Sequence, residues 1–129
     1  MTLPQPPAFT FGPVTRTHLV RYAGASGDFN PLHHDDDFAR GAGLPGVMAH
    51  GMLSAGLLAS FLSAWAGDRF VRRYKVRFKA PVWPGDVLTA DGAVTGSGPD
   101  GAATVSLSLR RQDGTEVVTG SAEIAEAIS

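Results

Sequence analysis

An acid, an amide and two imidazoles fall within eight residues, Gly27-Asp28-Phe29-Asn30-Pro31-Leu32-His33-His34, and three aspartates follow at positions 35–37. A carboxylate and an imidazole held together are a common means of moving protons near neutral pH. Pro31 stiffens the segment, and stiffness is what positioned acid and base groups need. Two other readings use the same residues. Asp28 and Asn30 can bond the backbone of a turn and leave His33 and His34 in solvent. His33, His34 and Asp35 to Asp37 can also be read as metal ligands. Adjacent residues point different ways, however, and no HExxH-like spacing is present, so no metal is assigned.

A second feature is His50-Gly51, which opens the most apolar part of the chain. A helix starting there would offer unpaired N–H groups and the positive end of its dipole, and glycine lets a ligand come close to the backbone. Such an arrangement is an oxyanion hole. The plainer alternative is a glycine start to a packed helix, with His50 hydrogen-bonded in the core. Cysteine is absent, so a Cys nucleophile, a thiolate zinc site and disulfides are excluded.

These groups need elements to hold them. The Pro-rich opening, Pro4 to Pro13, reads as an extended lead-in with at most a short strand around Ala8 to Phe11. Thr15 or Thr17 is placed to cap a helix running to about Ala25, with Gly27 ending it. Asp35 to Asp37 suit the start of a short helix, because carboxylates favour the positive end of the dipole, and Gly41 and Gly43 end it. From Gly51 to about Trp65 the sequence is apolar on nearly every side, which predicts a helix buried all round.

Beyond it, Phe70, Tyr74, Val76 and Phe78 alternate with Arg73, Lys75, Arg77 and Lys79, the period of a half-exposed strand. Three more strands follow, marked by Leu88, Ala90 and Val94, by Val105, Leu107 and Leu109, and by Val118, Ala122 and Ile124. Gly98-Pro99-Asp100-Gly101 and Asp113-Gly114 turn between them. The expected fold is α+β, a curled antiparallel sheet wrapped around one long central helix, in a single domain over 1–129. Open sheet edges predict pairing with a second copy, a homodimer.

The net charge of −1 argues against general affinity for nucleic acid, although six of the eleven basic residues lie between Arg69 and Lys79. That row could meet the phosphates of an anionic carrier. The opening residues lack the pattern of a secretory signal, and the apolar run after Met52 is too short to span a membrane. The reading is a soluble, cytoplasmic protein.

Tyr22-Ala23-Gly24-Ala25-Ser26-Gly27-Asp28-Phe29-Asn30-Pro31-Leu32-His33 resembles the signature of the MaoC-like, R-specific enoyl-CoA hydratase family. Ala49-His50-Gly51-Met52-Leu53 and the segment Val76-Arg77-Phe78-Lys79-Ala80-Pro81-Val82-Trp83-Pro84-Gly85-Asp86 agree in order and spacing. The resemblance implies the hot-dog fold and a hydro-lyase that hydrates trans-2-enoyl thioesters. It implies Asp28 and His33 as the acid/base pair, Asn30 as the residue orienting the site, and the Gly51 amide as oxyanion donor. Phe29, Leu32, His50, Met52 and Trp83 are the candidates for substrate binding, with Leu44, Val47 and Met48 as further apolar lining.

The implied partner is an acyl-CoA or acyl-carrier-protein thioester. Coenzyme A then enters as part of the substrate, and no separate cofactor is expected. One alternative is the catalytic half of a heteromeric 3-hydroxyacyl-carrier dehydratase, as a heterodimer with another hot-dog subunit. A hot-dog thioesterase is a weaker fit, because such enzymes usually place a carboxylate on the central helix and Met52 to Trp65 contains no Asp or Glu.

Overall fold

The computed structural model describes residues 3, 6, 9–98 and 100–125. The elements are β1 (Phe9–Phe11), α1 (Arg16–Ser26), a 3-10 turn (Pro31–His33), α2 (Asp36–Gly41), α3 (Gly51–Ala66), β2 (Phe70–Phe78), β3 (Leu88–Ser97), β4 (Ala103–Arg111) and β5 (Glu116–Ala125). The strands form one antiparallel sheet in the order β1-β3-β4-β5-β2. Helix α3 lies against β2, β3, β4 and β5. This is the expected α+β hot-dog arrangement. The residues Pro4, Pro7 and Ala8 of the lead-in, and Pro99 of the first hairpin, lie outside the described residues.

The contact between α3 and the sheet rests on large side chains meeting small ones. Leu58, Phe61, Leu62 and Trp65 of α3 are buried against Ala90, Val105, Leu107, Leu109, Val118, Ala122 and Ile124. Gly92 on β3 makes room for the Trp65 indole: a Cβ there would lie 2.6 Å from the ring and 3.0 Å from the Ser106 carbonyl. Across the helix, the Tyr74 hydroxyl donates to the Ala55 carbonyl at 2.7 Å, and burial pushes that phenol up to about 12.

Two expectations are corrected. α3 is buried on one side only: Gly51, Met52, Gly56, Ser60, Ser63 and Ala64 are exposed in the single chain. The exposed side carries small residues and Met52, whereas Leu58, Phe61, Leu62 and Trp65 at helical spacing make the side that faces the sheet. On β2 the inward residues are Val71, Tyr74 and Val76, whereas Phe70 and Phe78 are more than half exposed. A register shift between Val71 and Arg73 puts Val71 opposite Ile124 and Tyr74 opposite Ala122, so the strict alternation breaks there. Arg72, at the bulge, bonds Glu123 and Asp100 and ties β2 to β5 and the β3–β4 turn. Among the described residues, no helix is long and apolar enough to cross a membrane.

The N-terminal elements are well signalled. Thr15 caps α1 in a reciprocal box with His18, and Gly27 ends it in the left-handed conformation at φ 75°. Asp35 caps α2 by accepting from the Phe38 amide. Asp36 joins α2 to the loop before α3, accepting the Val47 amide at 3.1 Å and the Arg16 guanidinium at 2.8 Å. The Val47 amide, then Arg16, holds the Asp36 carboxyl below its ordinary value.

Two outcomes follow for stability. Gly92→Ala should destabilise the fold by about 1–3 kcal/mol through overpacking. Gly24→Ala, in open space on α1, should stabilise it by about 0.5–1 kcal/mol; urea unfolding of both variants checks the pair. Asp36 contributes stability above its unfolded pKa, and this is lost as pH falls through the lower folded value. Stability of the wild type should therefore fall more steeply below about pH 3.9 than that of Asp36→Asn, measured by denaturation across the acid range.

Candidate active site

The site is built where the turn after α1 meets the start of α3. Asn30 accepts the Leu32 amide at 3.0 Å, and Pro31 stands at the first position of the 3-10 turn that carries His33. Asn30 thus sets the orientation of the turn. Asp28 Oδ1 accepts the Asn30 amide at 3.3 Å, while Oδ2 lies 3.8 Å from His33 Nε2. One carboxylate oxygen thus bonds the turn backbone and the other faces His33, which does not lie in solvent as the turn-forming reading has it.

His33 is oriented from behind. Its Nδ1 lies 2.7 Å from the Met48 carbonyl. A carbonyl only accepts, so Nδ1 carries the hydrogen and the lone pair of the neutral ring lies on Nε2, toward Asp28. The His33 side chain is 11 % exposed and that of Asp28 52 %. The imidazole is sheltered and the carboxylate is open to solvent. The Met48 amide in turn donates to the Leu32 carbonyl, and the Ala49 amide to Val82.

His50 departs from its expected place. It is 2 % exposed, and its Nε2–H donates to the Asp28 carbonyl at 3.1 Å. Its ring stacks on His33 at 3.7 Å between centroids with an interplanar angle of 21°, and meets Tyr22 edge-on at 4.8 Å. It is packed among protein groups and does not form a wall of the cavity beside Gly51. Asp28, His33 and His50 offer ligand atoms within 4.8 Å of one another. The two imidazoles are nearly cofacial, so their lone pairs run side by side and do not converge as a metal requires.

Gly51 is the first residue of α3, and the His50 side chain does not cap the helix. Among the described residues the Gly51 amide donates to no backbone carbonyl. A cavity of about 330 Å³ opens beside it, lined by Leu44, Met48, Ala49, Ser54, Val82, Val117 and the Phe78 ring, with Lys79 at the end of β2. A smaller one of about 230 Å³ adjoins His33, lined by Leu19, Val20, Ala23, Phe29 and His34. Of the other expected lining residues, Leu32 is half-buried in the turn, and Met52 is 61 % exposed on the free side of α3. Trp83 and Val47 line a separate hollow with Arg16, Asp36 and Arg40.

The Trp83-to-Asp86 segment serves the fold. Asp86 is buried, accepting the Trp83 amide at 2.8 Å and the Gln112 side chain at 2.9 Å. Sequence reasoning passed over Ser54, a buried hydroxyl beside the Gly51 cavity, and Phe78, whose ring lies over Gly51. Spacing carries no signal that separates Ser54 from Ser60 and Ser63 on the same helix. Phe78 read as an inward strand residue.

The chain is 34 % identical over 111 residues to the β subunit of fatty acid synthase from Saccharomyces cerevisiae, covering 84 % of this chain and 5 % of that subunit. It is 36 % identical over 110 residues to the (R)-specific enoyl-CoA hydratase of Aeromonas caviae, covering 82 % of this chain and 81 % of the hydratase. Among solved structures, a chain of the ChsH1–ChsH2 complex from Mycobacterium tuberculosis superposes with a TM-score of 0.84 at 27 % identity, covering 98 % of each chain. The family model for the MaoC-like domain matches residues 3–112, and the chain belongs to that family.

Proposed function

We propose that this chain catalyses the reversible syn hydration of trans-2-enoyl-CoA to (R)-3-hydroxyacyl-CoA. The observation that carries the reading is the pairing of Asp28 Oδ2 with the free Nε2 of His33, joined through His50 to the uncapped helix start at Gly51. The two side-chain atoms are near enough to bond the same water. His33 Nε2 takes a proton from that water as its oxygen attacks C3. The π electrons of the enoyl group move to the thioester oxygen, where the Gly51 amide and the dipole of α3 stabilise the charge. The proton on His33 then passes to C2, and the Asp28 carboxylate offsets the transient imidazolium. Both bonds form on the face the pair occupies, so the addition is syn.

Coenzyme A is part of the substrate in this scheme, and no further cofactor has a role. The apolar cavity beside Gly51 suits an acyl chain, and Lys79 at its rim suits a carrier phosphate. A carrier-protein thioester is the alternative substrate. The lack of cysteine suits a reducing compartment, the cytoplasm.

A second hot-dog chain is the proposed partner. The β2 edge is unpaired, and Phe70 and Phe78 are exposed along it. A homodimer satisfies this, and so does a heterodimer, for which the two-component ChsH1–ChsH2 complex is the structural parallel.

Asp28→Asn and His33→Ala should each lower kcat on crotonyl-CoA by about 10²–10⁴-fold, the range for general acid–base groups. Wild-type turnover in Asp28→Asn would refute the scheme. Gly51→Pro isolates the amide. Proline is tolerated at the first position of a helix, and His50 already holds the extended conformation, φ −62° and ψ 136°, that a following proline demands. This variant should fold and lose about 10²–10³-fold in kcat, whereas Gly51→Ala keeps the N–H and should lose less, shifting only the Phe78 ring 3.3 Å away.

A further inference from the structure

We infer that His50 is a positioning residue: one ring fixes both members of the Asp28–His33 pair and keeps the start of α3 uncapped. The inference rests on the hydratase reading and adds to it a group that touches no substrate. The bond from Nε2–H to the Asp28 carbonyl anchors the backbone that carries the carboxylate. The face of the same ring is the floor on which His33 lies, and Tyr22 of α1 closes the other side. His33 is therefore held at two points, by Met48 through Nδ1 and by His50 across its face.

Stability alone does not explain this residue. Buried His50 Nδ1 has no hydrogen-bond partner among the described residues, and an unsatisfied buried acceptor costs free energy. The other helical segments begin at Thr15, Asn30 and Asp35, each accepting a first-turn amide through its side-chain oxygen. α3 begins at His50, which does not. Ser, Thr, Asp or Asn in its place would place an oxygen on those amides, competing with a developing oxyanion for the same end of the dipole. The side chain faces Tyr22, His33 and the Asp28 backbone, and of these groups only His33 is a titratable partner of Asp28 in the proposed reaction.

Three variants of the full chain, assayed on crotonyl-CoA with Tm measured in parallel, separate the roles. His50→Phe keeps the stacked ring and loses the donor. His50→Gln keeps an amide donor and loses the ring, and His50→Asn adds a cap. We expect kcat to fall about 10²-fold in His50→Phe, the cost of a misplacement of about 1 Å, with KM changed less than about twofold. His50→Gln should fall less than His50→Phe, and His50→Asn, which loses the ring and adds a cap, should lower kcat further than His50→Gln. Should His50→Phe fail to fold, the Gln and Asn variants decide. Wild-type kcat in the folded variants overturns the inference. So does a rise in KM at unchanged kcat, which would mean a substrate contact, or a loss of kcat that tracks loss of Tm across the series. An inactive Asp28→Asn beside fully active His50 variants overturns this inference alone, whereas an active Asp28→Asn removes the hydratase reading as well.

Discussion

The hydrogen bond from His50 to the Asp28 carbonyl spans 22 positions of the sequence and joins two parts of the molecule with different mechanical character. On one side is α3, held rigidly by the sheet. On the other is a polar turn with no buried residue of its own. A turn of that kind would sample many arrangements if left to itself, and proton transfer tolerates little error in geometry. The bond, with the stacked rings and the Met48 contacts, gives the turn the precision of the helix. The carboxylate stays at the surface, and its backbone is anchored in the interior.

The helix is in turn fixed by shape. Trp65 near its far end fits over Gly92, and Tyr74 bonds its backbone at Ala55. The loop before it is bonded at successive points to α2 through Asp36, to the turn through Leu32, and to Val82. These contacts fix the start of α3, and with it the Gly51 amide beside the cavity. In the proposed reaction a donor fixed in this way acts with little reorganisation, which is what makes it effective.

Much of this was legible in the sequence, because local rules and the fold agree. Thr15, Gly27, Asp35 and Gly51 mark real helix boundaries, and the residues named on β4 and β5 are buried as their period demands. So are Leu88 and Ala90 on β3, whereas Val94, beside the register shift of β3, is 51 % exposed. Asp28 and His33 were identifiable as a pair. The misses have physical reasons. The bulge at Arg72 inserts one residue without changing composition, so Phe70 read as inward when it is exposed. The exposed side of α3 carries no charged residue, so polarity alone reads as burial all round, and only the spacing of the large residues Leu58, Phe61, Leu62 and Trp65 separates the two sides. His50 groups with the substrate contacts on the sequence because it precedes Gly51 in the Ala49-to-Leu53 stretch. The plainer alternative, His50 hydrogen-bonded in the core, is the one the structure bears out. The direction of its ring depends on Asp28, Tyr22 and His33, and only tertiary structure brings those to it.

The central claim is that one pair on one face of the substrate both activates the water and delivers the proton. Hydration of crotonyl-CoA in deuterium oxide, with the configuration at C2 and C3 of the product read by NMR, tests it most directly. The account predicts the 3R product with deuterium added at C2 on the same face as the hydroxyl. Deuterium on the opposite face would require a second proton donor across the substrate and would contradict it.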